Sequence, residues 1–191
     1  MEDLSSPPVV RSVLWSRQDQ VSLEYFELHH PSDDIRLSGT VLTSHDGKPL
    51  RVEYTVHCDQ SWVTRSVRIG LTHDAASREF TLIADDQRRW WSDGKELATV
   101  AGCIDVDISI SPSTNTLPIR RLSLAPGTES DVTAAWIRFP ELTVEPLPQR
   151  YVRTGERLYR YSSSGGAFTA DIEVDEVGLV VSYPPLWQRV F

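Results

Sequence analysis

Two carboxylates and two guanidiniums lie close together in the middle of the chain. Asp105 and Asp107 belong to Gly102-Cys103-Ile104-Asp105-Val106-Asp107-Ile108-Ser109-Ile110, and Arg120 and Arg121 follow 13 to 16 residues later. Ile104, Val106, Ile108 and Ile110 alternate with the acids, which is the period of a strand. On such a strand the Cα atoms of Asp105 and Asp107 are ~6.5 Å apart. That spacing suits the paired carboxylates of glycoside hydrolysis or two oxygen ligands for Ca²⁺. It suits equally well an ion pair with a nearby arginine, the simpler reading, because a buried charge is costly unless paired and hydrogen-bonded. Pro112 and Pro118 stiffen the connecting loop. Within it, Thr114-Asn115-Thr116 are expected to bond neighbouring backbone. Ile119 to Leu124 reads as a further strand, with Arg120 and Arg121 on opposite faces. One of the two is then expected to be buried against Asp105 or Asp107. The functional alternative is a guanidinium facing a phosphate or carboxylate head group.

Arg65 poses the same question. It shares a strand face with Val63 and Val67, and Asp59 is within its reach only if that strand bulges. Trp90-Trp91 must turn one ring outward, where it would stack on a sugar or serve as an ordinary surface ring. The histidines (His29, His30, His45, His57 and His73) show no metal-ligand spacing with each other or with cysteine. Cys58 beside His57 is not a nucleophile–base pair, since adjacent strand side chains point apart. No phosphate loop, serine elbow or zinc motif is present. The candidate ligand-binding residues are therefore Arg65, Trp62, Trp90, Asp105, Asp107, Asn115, Arg120 and Arg121. No catalytic residue, metal ligand or cofactor is assigned.

The block Thr114-Asn115-Thr116-Leu117-Pro118-Ile119-Arg120-Arg121-Leu122 also carries a likeness. With the run from Gly102 that precedes it, it resembles a bacterial family of unknown function labelled "putative glycolipid-binding". Further matching pieces are Asp59 to Arg65, Ala135 to Pro140, Gln149 to Tyr151 and Asp175 to Val180, so the resemblance runs from about Val13 to the C-terminus. Ser111-Pro112 stands where Thr-Pro is expected, which keeps the hydroxyl. The resemblance implies a spiral β-roll, compared by shape to periplasmic carriers of lipoproteins, and an amphiphilic ligand.

The elements that must position these residues are strands. Val21, Leu23 and Tyr25 alternate with Ser22, Glu24 and Phe26. Ile35 to Leu42, Leu50 to Cys58, Trp62 to Leu71 and Phe168 to Val174 alternate in the same way. Asp46-Gly47 and Asp93-Gly94 are turn signals. Gly39 inside a strand marks a bulge or a close approach, and Pro140 marks an edge or a bend. A short helix is allowed only near Ser130 to Ala135 or within Pro112 to Leu117. The expected fold is all-β, an antiparallel curled sheet of 13 to 15 strands; the roll topology rests on the resemblance. Residues 1–10 are expected to be a disordered lead-in, and 11–191 one domain.

Composition narrows the partners. The chain has 191 residues, 40% hydrophobic and 24% charged, with net charge −8. That balance argues against nucleic acid and against adsorption to an anionic membrane surface. No segment is long and apolar enough to insert into a membrane. The N-terminus lacks the charged and apolar regions of a secretory signal, so a cytoplasmic address with reduced, unbridged Cys58 and Cys103 is expected. The oligomeric state is left open. The leading functional expectation is non-catalytic binding of a glycolipid-like or other amphiphile in a β-roll cavity. The alternatives are a glycoside hydrolase using Asp105 and Asp107, and a structural or protein-interaction module without a small-molecule ligand.

Overall fold

The computed structural model describes residues 9–31, 34–74 and 76–191. The lead-in expected over residues 1–10 falls outside the described residues up to residue 8, and Val9 already opens the first strand. Eight strands fill the first half: β1 (Val9–Arg17), β2 (Leu23–His29), β3 (Ile35–His45), β4 (Lys48–Cys58), β5 (Thr64–His73), β6 (Ala76–Ala84), β7 (Trp90–Ser92) and β8 (Lys95–Glu96). The second half holds β9 (Asp105–Ile108), a helix α1 (Thr116–Leu122), and then β10 (Glu129–Arg138) and β11 (Thr143–Arg153). It ends with β12 (Leu158–Ser163), β13 (Phe168–Val174), β14 (Val180–Tyr183) and β15 (Trp187–Arg189).

All fifteen strands form one open sheet. Its order runs from β8 back to β1, across to β15, and then back to β9. The first and last strands therefore meet in the middle of the sheet, and β8 and β9 lie at its two ends. Laid flat at ~4.8 Å per strand, the ends would stand about 67 Å apart. Residues 97–104, which join them, reach at most about 28 Å. The sheet has to curl until its ends face each other. The join is visible in Thr64 N–H donating to the Ile104 carbonyl at 3.3 Å and Gly102 N–H to the Arg88 carbonyl at 2.9 Å. In the same place the Trp90 indole donates to the Cys103 carbonyl at 2.9 Å.

Neighbouring strands are antiparallel except β9 and β10, which run parallel. A parallel pair needs a crossover, and residues 109–128 supply it with α1. The strand expected over Ile119 to Leu124 is thus helix up to Leu122. Pro118 sits in the first turn, where its missing N–H costs no intrahelical bond. Leu117 and Ile119 are buried by the packed helix. Ser123 ends it in the left-handed region, φ 45°. The other stretch allowed as helix, Ser130 to Ala135, is part of β10.

Local signals elsewhere act as their chemistry dictates. Asp46 and Gly47 (φ 49° and 72°) close a two-residue hairpin between β3 and β4. Gly39 is a close approach: a Cβ there would lie 2.4 Å from the Tyr54 ring of the neighbouring strand. Gly39→Ala is therefore expected to destabilise the fold by roughly 1–3 kcal/mol, the usual cost of overpacking. Urea denaturation checks this; an unchanged midpoint would show that the ring is free to move.

Candidate functional site

The segment Ser111 to Leu122 lies inside the curl and bonds to both halves of the sheet. Glu24, on β2, is wholly buried. Its Oε1 accepts hydrogen bonds from the Tyr54 hydroxyl (2.5 Å) and the Ser111 hydroxyl (2.8 Å). The Ser113 hydroxyl lies 2.6 Å from Tyr54 Oη and 2.8 Å from Ser111 Oγ. Among the described residues Glu24 Oε2 has no partner. Burial outweighs the hydroxyl donors and pushes the Glu24 carboxyl up to about 8. The next three residues face β9, β11 and the β13–β14 turn. Thr114 Oγ1 accepts from the Ile108 N–H at 3.2 Å. Asn115 Oδ1 accepts from the Tyr151 hydroxyl at 2.9 Å, and Asn115 Nδ2 donates to the Pro112 carbonyl at 3.2 Å. Thr116 donates to the Gly178 carbonyl at 3.0 Å.

The charged candidates divide. Arg121, on α1, makes a bidentate pair with Asp105, with Nε 3.0 Å from Oδ1 and Nη2 against Oδ2. Asp105 is buried and Arg121 half-buried, at 1% and 15% side-chain exposure. Burial raises the Asp105 carboxyl and Arg121 opposes that rise. The pairing reaches across a helix and not across a hairpin. Asp107 points to Gln149, whose amide nitrogen Nε2 donates to Oδ2 at 2.6 Å. It remains half-buried, and desolvation pushes its carboxyl up to about 6. Arg120 carries no carboxylate; its guanidinium lies over the Trp62 ring at 5.2 Å.

Arg65 and Trp90 stand apart from this group. β5 carries one extra residue against β4, because His57 pairs with Ser66 and Cys58 with Thr64. Arg65 is that residue. The bulge turns Thr64 inward and lets Arg65 reach Asp59 (2.8 Å) and Asp86 (2.8 Å) near the surface. Trp90 is fully buried, so the outward ring expected of the tandem pair is Trp91, with Arg89 at 5.9 Å. Asp105, Asp107, Asn115, Arg120 and Arg121 thus come together around α1, and mostly satisfy one another or the backbone. Cys58 and Cys103 are free, buried thiols; burial pushes them up to about 12 and about 11.

A different surface stays chemically open. On the outer face of β2 to β6, cross-strand pairing builds the row Tyr25, Thr40, Glu53, Gly70, Glu79. Beside it runs the row Glu27, Ser38, Thr55, Arg68. Short side chains at Ser38, Thr40 and Thr55, and none at Gly70, leave an open hollow of about 340 Å³ rimmed by Tyr25, Glu27, Glu53, Arg68 and Glu79. Tyr25 donates to Glu27 at 2.6 Å and so holds that carboxylate below its ordinary value. Among the described residues Arg68 has no ion-pair or hydrogen-bond partner. One pair further along, Leu23 faces Leu42. Val21, Leu23, Tyr25 and Leu42 are exposed at 85%, 41%, 50% and 53%. A second open hollow, about 570 Å³, lies by Asp131 and Arg150. There Arg150 is already paired with Asp131 at 2.7 Å.

Sequence reasoning missed Glu24, Tyr54, Ser111 and Ser113 as a cluster, and missed Tyr25 and Arg68. Alternation in β2 is consistent with either face turned inward, and the structure buries the face with Ser22, Glu24 and Phe26.

Residues 12–189 match the family model described as "Putative glycolipid-binding". The chain belongs to that family. Its fold is also that of a crystal structure of a DUF1089 family protein from Pseudomonas aeruginosa. The two are 32% identical with a TM-score of 0.81, covering 99% of this chain and 100% of the other. No curated protein matches the chain. Among the described residues, no helix is long and apolar enough to cross a membrane.

Two outcomes are expected at the interior cluster. Arg121→Ala leaves Asp105 buried without its partner and costs about 3–5 kcal/mol in urea denaturation. Glu24 titrates from 4.5 when unfolded to about 8 when folded. The folded state therefore keeps a proton that the unfolded chain releases, and stability falls as pH rises between those values. Glu24→Gln removes that slope, and at pH 9 is expected to exceed the parent by something on the order of 4 kcal/mol relative to its standing at pH 4. Parallel pH profiles for the two proteins would contradict it.

Proposed function

We propose that the protein binds a glycolipid-like amphiphile, without chemical change, on the outer face of β2 to β6. The observation that carries this reading is the contiguity of a polar hollow and an exposed apolar strip, with Tyr25 belonging to both. A hydroxyl-rich head group needs acceptors and donors together. Glu27, Glu53 and Glu79 accept, Arg68 donates, and the Tyr25 ring offers a flat apolar face to a sugar. Leu23, Leu42 and Val21 then cover the first carbons of the tail, at roughly 25 cal/mol per Å² removed from water. The net charge of −8 favours a neutral sugar over an anionic head group at this acid-rich hollow. The family's description points to the same ligand class. The reading places the ligand in an open groove and not in an enclosed cavity.

The hydrolase alternative gains little support. Asp105 is engaged by Arg121 and Asp107 by Gln149, and neither residue lines the hollow. The interaction-module alternative shares the exposed apolar strip, so the test must separate a small amphiphile from a protein partner.

Octyl glucoside below its micelle concentration is expected to bind saturably, and methyl glucoside much more weakly. Calorimetry or amide shifts would report it. Tyr25→Ala is expected to weaken octyl glucoside binding ~10-fold with an unchanged urea midpoint, since the ring is exposed. No saturable binding, or equal binding by the variant, would overturn the groove. Native mass spectrometry of freshly purified protein tests for a co-purified amphiphile directly.

A further inference from the structure

Beside the C-terminal end of α1 lies a further hollow, of about 360 Å³, that shares no residue with the groove. Its lining includes Arg120, Arg153, Arg157, Tyr159, Glu156 and Gly178. The chain is acidic overall, yet among the described residues two of these guanidiniums, Arg120 and Arg153, carry no carboxylate partner. Arg120 has neither an ion pair nor a hydrogen bond among the described residues. It is exposed, but two neighbours flank it. Its guanidinium lies over the Trp62 ring at 5.2 Å, and its stem passes over Gly178, where a Cβ would stand 2.9 Å from Arg120 Cδ. Arg153 is immobilised. It donates to the carbonyls of Leu124 (2.7 Å), Gly155 (3.2 Å) and Glu156, and lies over Tyr159 at 5.8 Å.

The neighbouring acids are mostly spent. Asp175, which also lines the hollow, accepts from the N–H groups of Val177 and Leu179 and from Arg189 at 2.9 Å. Glu176 lies between Arg11 and Arg157. The lining holds three arginines and three acids, but Asp175 and Glu176 are engaged by Arg189, Arg11 and Arg157, so among the described residues Glu156 is the acid left to oppose Arg120 and Arg153. A stacked guanidinium with its donors free loses little freedom on binding. Its planar fork matches a carboxylate or phosphate.

From this we infer that the hollow beside Arg120 is an oxyanion site, for a phosphate, sulfate or carboxylate group, held by Arg120 with Arg153 beside it. The α1 C-terminus offers a plainer reason for a basic residue at position 120, because its carbonyls attract cations. That reason accounts for the charge but not for the Trp62 stack; Gly178, at φ 85°, is called for by its own turn.

Inorganic phosphate titrated at constant ionic strength decides the matter, read from the side-chain Nε–H resonances of Arg120 and Arg153. Saturable shifts are expected in the parent. Arg120→Gln, which keeps the stem over Gly178, should weaken binding ~10-fold or more. Arg68→Gln, in the other groove, should leave phosphate binding unchanged, and octyl glucoside binding by Arg120→Gln should match the parent. This site and the groove therefore stand or fall separately. A parallel titration with dihexanoyl phosphatidic acid separates two sources of the anion: tighter binding assigns a lipid head group, equal binding a free oxyanion. Shifts that chloride reproduces, or a variant with the parent's phosphate affinity and the parent's melting temperature, would overturn the site.

Discussion

A carboxyl group shut away from water sets the terms on which the two halves of the sheet meet. Glu24 offers one oxygen to Tyr54 and Ser111, and Ser113 completes the set. An unsatisfied group of this kind is costly in the interior. The segment bearing Ser111 and Ser113 therefore has one position in which Oε1 of Glu24 is satisfied. Once there, Thr114, Asn115, Thr116 and Arg121 fall opposite Ile108, Tyr151, Gly178 and Asp105. Those contacts reach three different parts of the curl: β9, β11 and the β13–β14 turn. Apolar packing alone tolerates sliding and exchange of similar side chains. Directed bonds from one short segment to β2, β4, β9, β11 and the β13–β14 turn do not.

What the chain spells out locally and what it leaves to distant contacts divide along the same line. Period-two runs, the Asp46-Gly47 turn and the close approach at Gly39 are local facts, written in a few neighbouring residues. The Arg65 puzzle carried its own solution, because only a bulge could bring Asp59 within reach, and the bulge is there. Arg120 and Arg121 were harder. Ile119 to Leu124 has the composition of a strand, and what makes it helix is topological: β9 pairs in parallel with β10 and needs a crossover. That pairing joins residues 29 positions apart, on either side of the segment. The face of β2 was ambiguous in the same way. Val21, Leu23 and Tyr25 form the more apolar set, but Phe26 and Leu28 are the residues that find the core. Glu24 follows them inward because side chains two apart share a face.

That inversion is also what gives the outer face its functional interest. An isolated exposed leucine carries no message, since much of any protein surface is apolar. Val21, Leu23 and Leu42 are contiguous and are joined by the exposed Tyr25 to a hollow rimmed with charged side chains. The curl spends the inner face of the sheet on packing and on the buried cluster. What remains for a ligand is the face whose side chains the fold does not require. On that face polar and apolar ends lie side by side, in the order in which a head group and its tail would meet them. The oxyanion hollow at Arg120 follows the opposite logic. It is built on the segment that holds the curl together, so its guanidinium is positioned by the fold itself. A ligand there would meet a guanidinium stacked on Trp62, and one on β2 to β6 a broad and forgiving surface. Selectivity for an anion and tolerance of varied sugars are the binding characters those two kinds of surface support.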